Sequence, residues 1–81
     1  MQVSAYSIRY VERAAQRKAA LAGPQRASLE TLEKQLSLNP FGPPAISNRD
    51  NSWSAAFTGG FITYVVSNRH VVINVIDLVA L

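Results

Sequence analysis

Trp53-Ser54-Ala55-Ala56-Phe57-Thr58-Gly59-Gly60-Phe61-Ile62-Thr63-Tyr64 is the stretch on which the fold turns. Trp53, Ala55 and Phe57 alternate with Ser54, Ala56 and Thr58, and a period of two belongs to an extended strand. Gly59-Gly60 supplies a two-residue hairpin signal, so Phe61 to Val66 reads as the returning strand. Ser67-Asn68-Arg69-His70 is a second turn. Val71 to Val79 is then a further strand, apolar on both faces except at Asn74 and Asp77, and such a strand needs cover on both sides.

Upstream of this β half the pattern changes. Residues 39–51 hold three of the four prolines and no usable period, so they form a loop. Before it, Leu29, Leu32 and Leu36 recur at helical spacing, with Glu30 one turn from Lys34, and Asn39-Pro40 closes the run. This helix spans about Pro24 to Leu36 or Leu38. Residues 12–22 are strong helix formers with a thin stripe of Ala14, Ala15, Lys18 and Leu21 or Ala22. Gly23 is the expected stop of that helix and Pro24 the expected restart, which makes an antiparallel helical hairpin. Residues 2–10 alternate again, with Tyr6, Ile8 and Tyr10 on one face of an opening strand. The predicted order is β-α-α-β-β-β. It describes an α+β domain over residues 1–81, with the hairpin packed on a small, mainly antiparallel four-stranded sheet. The other sheet face stays open to a ligand or partner.

The chain has 81 residues, 48 % apolar and 16 % charged, with a mean hydropathy of +0.06. That allows one thin core and excludes separate cofactor and substrate domains. It also suits a protein whose apolar surface is covered by a partner. The absence of cysteine excludes disulfides, thiolate metal sites and cysteine nucleophiles. A single histidine and five acids leave no set of metal ligands, so neither a metal nor a cofactor is expected. No run of 18 apolar residues is present, and the first residues lack the basic and apolar segments of a signal peptide; a cytoplasmic location is expected. The net charge of +3 is uneven. Residues 1–26 carry five cations against Glu12, and the remainder carries three against four acids. The basic front third fits contact with nucleic acid or an acidic partner, or else a solvated helix face.

From end to end the pattern resembles the RelE/ParE superfamily of toxins of type II toxin–antitoxin systems. The resemblance rests on Tyr6-Ser7-Ile8-Arg9-Tyr10, on the helical hairpin closing in Leu36-Ser37-Leu38-Asn39-Pro40, and on Trp53 to Tyr64 with its glycine hairpin. It implies a RelE-like fold, a cognate antitoxin as partner, and ribosome-dependent cleavage of messenger RNA. A ParE-like action on gyrase, or a degenerate toxin that only binds its antitoxin, is the alternative. Outside the family, a small basic nucleic-acid-binding module also fits. Two departures stand out. RelE-type nucleases place an arginine after the aromatic that follows the glycines, where this chain has Ile62, and residues 50–58 carry no cation.

RNA cleavage without a metal needs a base for the 2′-hydroxyl, a cation for the transition state and an acid for the leaving oxygen. Arg49, Tyr64, Arg69 and His70 are the candidates for these catalytic roles in the β half. A histidine side chain can act as acid or base, but His70 sits in a turn, where a solvated role is the alternative. Tyr64 lies on an apolar strand and has a core role as its alternative. Arg9, Arg13, Arg17, Lys18 and Arg26 are the candidates for holding RNA phosphates, with Lys18 and Arg9 on the surface that Arg13 and Arg17 share. Trp53 either stacks a base or anchors the hairpin. Asp77 either blunts a sheet edge or pairs with a cation across the sheet.

Overall fold

The computed structural model describes residues 5–81. The first predicted strand therefore falls partly outside the described residues, at positions 2–4. In chain order the elements are β1 (Ser7–Tyr10), α1 (Glu12–Ala19), α2 (Gly23–Leu38), β2 (Ile46–Ser47), β3 (Ser52–Phe57), β4 (Gly60–Ser67) and β5 (Val72–Ala80). The sheet order is β1-β5-β4-β3-β2, with β1 parallel to β5 and every other pair antiparallel. Helices on a mixed sheet match the expected α+β layering.

Several details differ. The sheet has five strands, because Ile46 and Ser47 pair with Ser54 and Trp53 inside the predicted loop. A two-residue strand is too short to show a period. α1 ends at Ala19, and Gly23 opens α2 instead of stopping α1. The reason lies at Ala22, whose extended backbone (φ −64°, ψ 156°) precedes the helix and whose N–H donates to the Gln25 side chain at 3.2 Å. The hairpin turn is Thr58-Gly59, since Gly60 already pairs with Phe57. Gly59 takes φ +88°, where a side chain is strained and would also run into Gln25.

The core forms where α1 and α2 meet one face of the sheet. Ala14, Leu21, Leu29, Leu32 and Leu36 pack on Ala55, Phe57, Ile62, Tyr64, Ile73, Val75 and Leu78. The leucine spacing of α2 and the alternation of β3 and β4 read from the sequence are the ones that bury. β5 behaves differently. Thr63 pairs with Asp77 but Tyr64 with Val75, so Ile76 is an extra residue in a bulge. Its members of the helix-facing core are thus Ile73, Val75 and Leu78; an unbroken period of two would have sent Asp77 inward. The strand does not gain cover on both sides, and Ile76 is 37 % exposed. No helix among the described residues is long and apolar enough to cross a membrane.

Candidate functional site

The strand register decides which distant residues meet. β3 begins at Ser52 opposite Val65, β4 ends at Ser67 opposite Val72, and Val72 pairs with Ser7 at the start of β1. The 48–51 turn, the 68–71 turn and the start of β1 therefore share one end of the sheet. Arg49, Arg69 and His70, spread over two turns in sequence, are gathered there.

Both turns are tightly determined. In the first, the Asp50 carboxylate accepts from the Ser52 N–H at 3.1 Å and from the Ser52 hydroxyl at 2.5 Å. These bonds, the hydroxyl's foremost, hold the Asp50 carboxyl below its ordinary range. In the second, the Ser67 hydroxyl accepts from the His70 N–H at 3.3 Å, and the Tyr6 hydroxyl donates to the Asn68 side chain at 2.8 Å. The Ser7 N–H donates to the Val71 carbonyl at 2.9 Å. Among the described residues, the non-glycine positions with positive φ are Arg49 (67°), Asn51 (71°) and Val71 (55°), all in these two turns. Such conformations cost about 1–3 kcal/mol each and collect at functional sites. Arg49, Arg69 and His70 are all exposed.

Tyr64 stands apart from them. It is 0 % exposed on the helix-covered face and donates its hydroxyl to the Pro40 carbonyl at 2.6 Å. Burial pushes its phenol up to about 12, so it stays protonated at neutral pH. The expectation that it reaches a substrate gives way to a core position, because β4 alternates and Tyr64 shares the face of Ile62. Ile62 is itself 1 % exposed, so an arginine there would be buried under the helices. The positions of β4 that face the open side are Phe61, Thr63 and Val65, and none carries charge.

The five candidate phosphate-binding cations do not form one surface. The Arg17 guanidinium donates to the Asp77 carboxylate at 3.2 Å and to the Leu78 carbonyl at 2.9 Å, which ties α1 to the bulged strand. Asp77 thus pairs with a cation, but one on α1 and not across the sheet as expected. The Lys18 ammonium bridges to Glu33 at 2.8 Å and lies 4.9 Å above the Tyr10 ring. The Tyr10 hydroxyl donates to Glu33, and burial with that carboxylate holds the phenol well above its ordinary range. Arg26 donates to the Ala19 carbonyl at 2.8 Å and so caps the end of α1. Arg13 is exposed and unbonded among the described residues. Arg9 sits on the opposite face of β1 from Tyr10, and it therefore does not share a surface with Lys18. Instead Arg9 lines a cleft of about 470 Å³ with Ser67, His70, Val72 and Asn74. The sequence placed Arg9 with the helices because parallel pairing with β5 leaves no local signal. Trp53 is half-buried with its ring centroid 5.2 Å from that of Phe41, so it anchors the proline loop.

The architecture is that of the RelE toxins. The isolated E. coli RelE toxin superposes with a TM-score of 0.81 over 94 % of this chain and 84 % of its own, at 20 % identity. The intact E. coli RelBE toxin–antitoxin complex gives 0.81 over 95 % and 98 %, also at 20 % identity. A RelBE complex from Mycobacterium tuberculosis gives 0.78 over 99 % and 95 %, at 17 % identity. No protein-family model matches the sequence, and no curated protein matches it significantly. At these identities the likeness establishes the fold.

Proposed function

We propose that this chain is the toxin of a type II toxin–antitoxin pair, acting in the cytoplasm on messenger RNA at the ribosome and restrained by a cognate antitoxin. The observation that carries the reading is the whole-length match to structures solved both as a free RelE toxin and as toxin–antitoxin complexes. The gathering of Arg49, Arg69 and His70 at one end of the sheet supports the RNA part of it.

In the chemistry these residues support, His70 takes the proton of a ribose 2′-hydroxyl, whose oxygen attacks the adjacent phosphorus. Arg49 and Arg69 offset the charge that builds on the phosphorane, and a protonated group or water returns a proton to the departing 5′-oxygen. An antitoxin finds suitable surface along β1. The Ser7 and Val11 N–H groups bond toward β5, so those of Ile8 and Tyr10 face the open edge. Exposed Val11 and the basic front third extend that surface toward an acidic partner segment.

The test is primer extension on a message under translation in a reconstituted system. The unmodified protein should produce discrete cuts. Arg69→Ala with His70→Ala should lower cutting at least about 10²-fold, the scale of a lost general acid–base group, while antitoxin binding persists. Full cutting by the double variant would place the active site elsewhere. No cutting by the unmodified protein would leave gyrase, or antitoxin binding alone, as its activity.

A further inference from the structure

We infer that the cleft between Arg9 and the 68–71 turn is a binding site for a backbone phosphate of single-stranded RNA. The choice of RNA rests on the functional reading above; the site itself rests on the geometry. The cleft, of about 470 Å³, is lined by Arg9, Ser67, His70, Val72 and Asn74, and no carboxylate is among them. Its size lies in the range of small-ligand sites. Its polar lining is rich in hydrogen-bond donors: a guanidinium, an imidazole, an amide and a hydroxyl.

Two features make it more than a basic patch. Arg9 is opposite Asn74 in the β1–β5 register, and its guanidinium has no acceptor among the described residues. The other cations of the front third that lie near acids or free carbonyls, Arg17, Lys18 and Arg26, are all engaged. The His70 side of the cleft is also preorganised, because the turn is fixed through Ser67, through Asn68 to Tyr6, and through Val71 to Ser7. A planar guanidinium with two parallel N–H donors matches a phosphate, and His70 can reach a second oxygen of the same group. Asn74 and Ser67 offer the paired donor and acceptor character that a ribose 2′-hydroxyl requires. RNA anchored here would run past Arg49 in the neighbouring 48–51 turn.

The experiment measures binding of a fluorescein-labelled single-stranded RNA oligonucleotide to the full chain by anisotropy, across a salt series. Arg9 is exposed on an edge strand, so Arg9→Ala should fold, which circular dichroism confirms. The variant should bind about tenfold more weakly, and its slope of log affinity against log salt should fall by about 0.7, one phosphate contact on a single strand. Lys34→Ala removes the same charge from α2, on a different groove, and should change affinity less than about twofold. Equal losses in the two variants would reduce the cleft to diffuse attraction and overturn the proposal. Inorganic phosphate and a glutamate-rich peptide serve as further probes. Arg9-dependent binding of phosphate without RNA would assign the cleft to a free phosphate, and Arg9-dependent binding of the peptide without RNA would assign it to an acidic protein. Growth arrest by the unmodified protein is scored alongside. Arrest without Arg9-dependent RNA binding would sink the cleft alone, and Arg9-dependent binding without arrest would sink the toxin reading alone.

Discussion

Tyr64 shows what a single residue can and cannot disclose. Its place on an apolar strand pointed to the core, and its phenol pointed to chemistry; burial and the Pro40 carbonyl decide for the core. That partner lies in a loop without periodicity, so no sequence pattern could name it. The hydroxyl bond should contribute about 1 kcal/mol at neutral pH. The folded phenol is raised from 10.0 to about 12, and a group raised in this way contributes fully below pH 10 and loses its contribution as pH climbs through 12. Tyr10 shifts in the same direction, so the comparison must be with a variant that alters Tyr64 alone. Tyr64→Phe should be less stable than the parent in urea unfolding at pH 8, and the gap should shrink by pH 11.5. A gap that stayed constant would show that the buried hydroxyl does not set the alkaline limit. Ile62 teaches the same lesson from the other side. The resemblance sets an arginine at its position, and only the strand pairing shows that the side chain there faces the helices.

At the scale of elements, the leucines of α2 and the alternation of β3 and β4 were legible because each follows one period from end to end. β5 was not, because its period changes at Ile76. The sequence shows only a strand that is apolar on both faces with an odd aspartate, and the bulge explains both features together. It shifts the buried set from Val75 to Leu78 and leaves Asp77 to meet Arg17. Deleting Ile76 removes the extra residue, so Val75 and Leu78 should stay inward and Asp77 outward on a regular ladder with β4. The stability of the deletion variant in urea unfolding should therefore lie within about 1 kcal/mol of the parent's. A loss of about 3 kcal/mol or more, the scale of an aspartate driven inward without its partner, would mean that the bulge does not choose the face. The short β2 and the α1 boundary escaped the sequence for a related reason: two residues carry no period, and an exposed Ala-rich turn can end anywhere.

For the whole molecule, composition and order disclosed the layers, the open sheet face and the uneven charge. They did not disclose that Arg49 joins Arg69 and His70, since that follows from a strand order in which the 48–51 and 68–71 turns share an end. Nor did they show that Arg17, Lys18 and Arg26 spend their charges on α1, α2 and the bulge. The front third is thus partly self-satisfied, and Arg9 and Arg13 carry what remains for a partner. These placements fit the proposed account, in which a chain of RelE-like fold acts as a toxin, its cations at one sheet end engaging RNA and its β1 edge and basic flank engaging an antitoxin. Its central claim is toxicity relieved by a partner, and inducible expression in a bacterial host measures that directly. The account predicts growth arrest on induction of this chain alone, relief when an acidic antitoxin encoded beside its gene is co-expressed, and no arrest by the Arg69→Ala, His70→Ala variant at equal protein level. Unimpeded growth of cells that accumulate the folded, unmodified protein would contradict it.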